Sequence, residues 1–379
     1  MLFTAVPLRK RETMNEREAY IALNMMEKVG PVGVRSLAAV LGSGQAIFDC
    51  SRDDLLKARG VGPELAHAIL DKRETLDWQA EIDRAARAGV RIVAQVDPDY
   101  PEALRTIHDP PLALYVRGTL SGRDRHAIAI VGTRHPTHYG SEVAERFGAQ
   151  LAQAGFTVVS GLAEGIDTRA HAGALKVNGR TLAVLGSGLD CLYPPSNSDL
   201  AERIAGHGAV LTEFPFGRQP DRTTFAIRNR IVSGLSKGVV VVEAGLKSGA
   251  LITANQALDQ GRNVFAVPGR IDSHPSQGCH ALIRKGAALV ASVDDILEGF
   301  EFLLDRLAGQ PERSVRPQPI LTAEEEAVVR QLEGGGQDVD SLIRLSGLNA
   351  AAISSLLITL EMKRVVKMLP GRRVERVRL

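Results

Sequence analysis

Cysteine is the scarcest informative residue, with three in 379 positions. Cys50, Cys191 and Cys279 lie far apart and form no CxxC pair, which argues against a disulfide framework and fits a reduced, cytosolic protein. Aromatic residues amount to 4%, so the cores must rest on Leu, Val, Ile and Ala. No apolar stretch approaches the length that spans a bilayer. Near the start, LFTAVPL precedes Arg9-Lys10-Arg11, the reverse of a signal peptide's charge order. A cytoplasmic location without membrane contact is the expectation. Net charge is also low, at +2, and by itself decides nothing about nucleic acid. Its distribution says more, because Glu361 to Leu379 holds seven basic residues against two acidic ones.

Catalytic signatures are missing as well. There is no H-E-x-x-H, no Walker lysine, no Ser–His–Asp set in readable order and no metal-ligand cluster. His135-x-x-His138 and Cys279-His280 are isolated pairs that fit structural roles better than metal ligation. The sequence therefore predicts no catalytic residue, no metal and no cofactor.

What the chain does have is ordinary globular composition, 44% hydrophobic and 24% charged, at a length that suits two or three domains. One stretch organises the rest: FAIRNRIVSGLSKGVVVVEAGLKSGALITANQA, Phe225 to Ala257. Its run of β-formers from Gly238 to Gly245 suits a strand buried on both faces of a parallel sheet. Arg228–Ser236 reads as the helix before it, and a helix from about Ala250 to Gln260 follows the loop Gly245-Leu-Lys-Ser-Gly249. A helix N-terminus just past the carboxyl end of a parallel strand offers free N–H groups to an anion, usually a phosphate. Lys247 and Ser248 add an ammonium and a hydroxyl there, and Arg228 and Arg230 add cations from the preceding helix.

Residues 15–85 read as helical. Arg59-Gly-Val-Gly-Pro-Glu-Leu-Ala66 matches a helix-hairpin-helix signature whose backbone could meet DNA phosphates. With no basic residue in the turn after Arg59, a purely structural tight turn at Gly60 and Gly62 fits better. From Val90 the pattern alternates strand and helix, with strands at Arg91–Val96, Ala113–Val116, Ala127–Val131, Thr157–Ser160, Thr181–Leu185, Ala209–Thr212, Val239–Glu243, Asn263–Val267 and Ala288–Val290. Several end in glycine-bearing loops that lead into helices, which predicts a doubly wound, mostly parallel α/β sheet. Gly309–Pro319 is polar and proline-rich and reads as a linker. Thr322-Ala-Glu-Glu325 is a capping box that opens three helices, Ala323–Leu332, Val339–Ser346 and Ala350–Lys363. A hairpin around Pro370-Gly371 follows, completing a winged-helix pattern. The expected division is 1–88 helical, of helix-hairpin-helix or SAM-like type; 89–308 Rossmann-like; 309–320 linker; and 321–379 winged helix.

Among the sheet loops, Ile130-Val-Gly-Thr-Arg134 resembles a Rossmann phosphate loop without the full G-x-G-x-x-G, so a dinucleotide is not expected. Asp167 and His171, four apart, share a helix face and could bond to each other; bracing a helix is the commoner role for such a pair than acid–base catalysis. Arg228 and Arg230 point some 200° apart on a regular helix. Either they straddle the helix start, or one reaches the ligand while the other braces a loop. Phe225 fills a core or stacks on a base. The third helix of the tail begins Ala350-Ala-Ala-Ile-Ser-Ser355, with no side chain suited to bidentate base contacts, so sequence-specific readout is not expected.

Taken in order, VGTRHPTHYG, VSGLAEGIDTRAHAGAL, TLAVLGSGLDCLYPPSN, FAIRNRIVSGLSKGVVVVEAGLKSGALITA and VFAVPGR resemble the DNA-processing protein DprA (Smf) family. The resemblance covers nearly the whole chain. It implies a non-catalytic protein that binds single-stranded DNA without sequence preference, forms a homodimer, and loads the RecA recombinase during natural transformation. By that resemblance Arg134, Arg228, Arg230 and Lys247 form the cationic pocket, and Gly132, Gly161 and Gly165 allow the sugar-phosphate chain to approach. Two positions depart from the family pattern, Thr137-His138 in the first loop and Lys363-Arg364 before the wing. The alternative class is a nucleotide-binding hydrolase of the wider Rossmann-like superfamily, but the Pro-Gly-Gly-x-Gly-Thr loop of such enzymes is replaced here by Gly245-Leu-Lys-Ser-Gly249.

Overall fold

The computed structural model describes residues 14–300, 321–332, 337–363, 365–369 and 373–376. The described residues fall into two compact units, the first within Met1–Leu304 and the second within Asp305–Leu379. The expected linker at Gly309–Pro319, the turn at Pro370-Gly371 and the basic residues Arg364, Arg372 and Arg378 lie outside the described residues.

The first unit opens with helices α1 (Glu16–Met25), α2 (Pro31–Leu41), α3 (Pro63–Arg73) and α4 (Trp78–Arg87), with two short helices between α2 and α3. A capping box of Asn15 and Glu18 starts α1, and Gly30-Pro31 and Gly62-Pro63 start α2 and α3. Proline at a first helical position costs no hydrogen bond, since that N–H has no partner in any case. Leu23, Val34, Leu37, Ile47, Leu55 and Ile69 are fully buried between these helices, each contributing about 1.5–3 kcal/mol of burial.

A nine-stranded sheet follows. Its strands are β1 (Arg91–Ala94), β2 (Ala113–Gly118), β3 (Ala127–Val131), β4 (Thr157–Ser160), β5 (Thr181–Val184), β6 (Ala209–Thr212), β7 (Gly238–Val241), β8 (Asn263–Ala266) and β9 (Ala288–Leu289). Their order is β1-β2-β6-β5-β4-β3-β7-β8-β9. β1 and β2 pair antiparallel with each other, as do β2 and β6, while every pairing from β6 to β9 is parallel. The two faces read directly from residue alternation. Ala127, Ala129, Val131, Leu182 and Val184 pack with Ile231, Val232, Ala250 and Ala254 on one side. Ala183 and Val210 pack with Leu175, Ala201 and Ile204 on the other. Helices thus cover both faces, as a doubly wound sheet requires.

Strand order counts down from β6 to β3 and then jumps to β7. In open parallel sheets this reversal leaves a crevice at the carboxyl ends of the two flanking strands. Here β3 and β7 flank it, in a register that pairs Val131 with Val241.

The second unit has helices at Ala323–Gln331, Val339–Ser346 and Ala350–Met362, with strands at Gln337–Asp338, Val366–Leu369 and Arg373–Arg376. The three strands form a small antiparallel sheet. Val328, Leu342, Ile353, Leu357, Leu360 and Val374 form its core. Lys363 Nζ donates to both oxygens of Glu325 at 2.7 Å, which joins the end of the third helix to the start of the first. That contact gives the Lys363 departure from the family pattern a structural role. Among the described residues no helix is long and apolar enough to cross a membrane.

Candidate nucleic-acid interface

The crevice between β3 and β7 is an open cleft of about 520 Å³, lined among others by Gly132, Arg134, Gly161, Phe225, Arg228, Lys247, Ser248 and Thr253. Seven of the nine sequence-derived site residues line it. Gly165 and Arg230 do not.

The loop after β3 is tied down by a residue that sequence reasoning passed over. Glu243, two residues past the end of β7 and buried, accepts from the Thr137 backbone N–H at 2.9 Å and from the Thr137 hydroxyl at 2.6 Å. Its backbone carbonyl accepts from Thr133 N at 2.7 Å. Gly140 lies so close to this carboxylate that an added Cβ would sit 2.3 Å from Glu243 Oε2. The Thr137 departure therefore serves the loop's architecture, and the loop carries Arg134 to the cleft. A glutamate at a strand end beside a Val run was visible in the sequence, but its partner 106 residues earlier was not.

Arg134 is exposed, with its guanidinium 5.1 Å from the Phe225 ring centroid. Gly165 supports the same turn from behind. Its φ of 82° and the placement of a would-be Cβ 2.4 Å from Thr133 O and 2.6 Å from Arg134 O admit glycine alone without strain. Lys247 is exposed, and neither it nor Arg134 pairs with a carboxylate among the described residues. Ser248 caps the helix Gly249–Asp259, accepting from Ala250 N at 3.3 Å. The first-turn N–H groups of that helix, with their partial positive charge, open onto the cleft beside Gly249 and Ala250.

The helix expected at Arg228–Ser236 begins six residues earlier, running from Arg222 to Gly234. Asp221 is the reason, because its carboxylate accepts from Thr223 N and Thr224 N while Thr224 returns a bond to its backbone. Arg228 and Arg230 thus sit mid-helix and cannot straddle its start. Arg228 reaches the cleft floor, nearly buried at 5% exposure. It donates to Gly161 O at 2.6 Å and to Val184 O. Burial lowers its pKa to about 10, with nearby Arg134 adding to the drop and Asp167 opposing it. It remains a cation at neutral pH. A Cβ on Gly161 would meet this guanidinium at 2.3 Å, so the glycine exists for the arginine as much as for any ligand.

Arg230 is held away from the cleft, which corrects its placement with the ligand-facing cations. Its Nε pairs with Asp109 at 3.0 Å and its Nη2 with Glu213. Burial raises the Glu213 carboxyl, against the pull of Arg230. Two residues along a helix is half a turn, so one arginine serves the cleft and the other braces the opposite side.

Asp167 and His171 do not bond to each other. Asp167 accepts from Gly161 N at 3.0 Å and Ala163 N at 3.4 Å, and burial raises its pKa against the pull of Arg228 and those N–H groups. His171 Nδ1 lies 2.7 Å from Thr181 Oγ1. That hydroxyl donates to Val158 O, so it receives the hydrogen carried by Nδ1. Burial, reinforced by Arg228, pushes His171 down to about 3, and it is a neutral brace. Among the described residues no cluster of His, Cys, Asp or Glu could hold a metal ion.

With this geometry in place, comparison with known proteins is specific. The family model for DNA recombination-mediator protein A matches residues 91–301, and that for the DprA winged helix domain matches residues 312–372. The chain is 35% identical to Protein Smf of Synechocystis sp., over 96% of this chain and 99% of that one. It is 44% identical to the DNA processing protein DprA of Bacillus subtilis, over 55% of this chain and 71% of that one. The solved structure of DprA from Streptococcus pneumoniae superposes with a TM-score of 0.64 at 32% identity, covering 74% of this chain and 97% of that one.

Proposed function

The chain belongs to the DNA recombination-mediator protein A family, DprA/Smf, and from that premise we propose that it binds single-stranded DNA without sequence preference and acts non-catalytically. We infer further that it works as a homodimer and delivers the bound strand to the RecA recombinase, in transformation or in recombination more generally. One observation carries the DNA reading. Two exposed cations, Arg134 and Lys247, have no carboxylate partner among the described residues and flank a helix N-terminus across an open cleft. Such a site attracts a chain of phosphates and offers little that reads base edges. Mediation of recombination is supported by the family description alone. Asp167, the carboxylate that lines the cleft, is bonded to backbone, and His171 on the same helix is buried against Thr181, which weakens an acid–base role for this pair and with it the nucleotide-hydrolase alternative.

The test is binding of a fluorescent oligo-dT across a salt series. On single strands log K falls with log salt by about 0.7 per phosphate contact. Arg134→Ala and Lys247→Ala should each weaken binding and flatten that slope by about this amount. Weak binding by the wild type, or variants with unchanged slopes, would sink the reading and make mononucleotides the next ligands to test. RecA loading is checked separately, by whether the protein speeds RecA assembly on strands coated with single-strand-binding protein.

A further inference from the structure

Aromatic rings are rare in this chain, and among the described residues only Tyr139 and Tyr193 are strongly exposed. Tyr139 has its hydroxyl tied to Pro268 O. Tyr193 is 45% exposed and lies in the loop after β5, two strands beyond β3 along the sheet edge. Its ring centroid is 5.9 Å from that of Phe225, at an interplanar angle of 50°. Phe225 in turn carries the Arg134 guanidinium at 5.1 Å. Arg134, Phe225 and Tyr193 therefore form a continuous row leading out of the cleft. Arg222 precedes Phe225 by three positions, which puts it on the same face of the helix. It is exposed and forms no ion pair among the described residues.

We propose that Tyr193 and Arg222 form an additional nucleotide subsite outside the cleft, with the base stacked on the Tyr193 ring and its phosphate met by Arg222. The inference rests on the single-strand reading above and gives the bound strand a path. From Lys247 after β7 to Tyr193 after β5 the strand crosses three strand spacings, about 14 Å. Tyr193 suits the role because Phe225 packs against it and leaves much of the ring in solvent. A ring already held in place loses little side-chain entropy on stacking. Every base has a π-face, so such a platform adds affinity without sequence preference.

The experiment uses the full chain, a fluorescent oligo-dT and an abasic oligonucleotide of the same length. Tyr193→Ala should weaken oligo-dT binding roughly 5- to 150-fold, the range for loss of one stacked base. Its salt slope should stay at the wild-type value, because no phosphate contact is removed. Tyr193→Phe should bind as wild type, and the abasic strand should bind both alike. Arg222→Ala should flatten the slope by about 0.7. Tyr193→Trp guards against misfolding of the alanine variant, since its emission should be quenched by oligo-dT and not by the abasic strand. If Tyr193→Ala binds like wild type while Arg134→Ala still flattens the slope, the subsite is refuted and the strand reading stands. If the wild type binds no oligonucleotide, both fall together.

Discussion

Replacing Arg230 by alanine separates two arginines that look equivalent in the sequence. Arg230 is 6% exposed at its side chain, against 10% for Glu213 and 37% for Asp109. The contact with half-exposed Asp109 is worth little, about 0–1 kcal/mol. The contact with Glu213 is different, because removing one partner of a buried pair strands the other, at a cost of about 3–5 kcal/mol. Spread over the unfolding entropy of a unit this size, that loss lowers the melting midpoint by roughly 5–8 °C. The loss should also depend on pH. Burial already raises the Glu213 pKa above its unfolded value, and without Arg230 it rises further. A carboxyl whose folded pKa is raised contributes stability below its unfolded pKa and loses it as pH rises through the folded one. The deficit of Arg230→Ala should therefore be smallest near pH 4 and grow toward pH 8. Urea titrations of wild type and variant at several pH values measure this, alongside oligo-dT salt slopes of the folded variant. Wild-type stability combined with a flattened slope would refute the reasoning, since Arg230 would then be a phosphate contact and not a brace.

Other outcomes follow from the same geometry. Glu243→Ala removes a charged acceptor from two Thr137 donors, each bond worth about 1.5–3 kcal/mol. It should lower the urea midpoint and weaken oligo-dT binding through the Arg134 loop, although Glu243 itself is buried beneath that loop. Gly165→Ala places a methyl against the carbonyls of Thr133 and Arg134 at a positive φ. Its affinity for oligo-dT should fall, with the slope flattened as in Arg134→Ala. His171 is held neutral with its pKa near 3, below its unfolded value, so its contribution is complete above about pH 6.5 and is lost as pH falls toward 3. His171→Gln should reduce the acid-side loss of stability by up to about 1.4 kcal/mol per pH unit in that window, read from urea midpoints.

Much of the fold was legible because buried parallel strands announce themselves. The runs Ala127–Val131 and Thr157–Ser160 have the bounds that their composition predicts, and the glycine loops after them mark the carboxyl edge where a doubly wound sheet gathers its ligand site. The cations of the cleft were also legible, since Arg134 and Lys247 stand in the glycine-bearing loops that follow β3 and β7. Helix starts were less so. Asp221 with Thr224 extends the arginine-bearing helix backward by six residues, and a cap that bonds backbone N–H groups competes with turn formation in ways that composition does not resolve.

The sequence by itself determined the alternation of strand and helix, the order of the loops and the family. These depend on local periodicity and on motifs that are contiguous in the chain. Tertiary structure alone decided which arginine faces the cleft, why Thr137 is suited to its loop, and that Tyr193 continues the row begun by Arg134 and Phe225. Each of these depends on a partner far away in sequence: Glu213 and Asp109 for Arg230, Glu243 for Thr137 and Phe225 for Tyr193. Helix phase and strand order bring such residues together, and neither is expressed in the residues on either side.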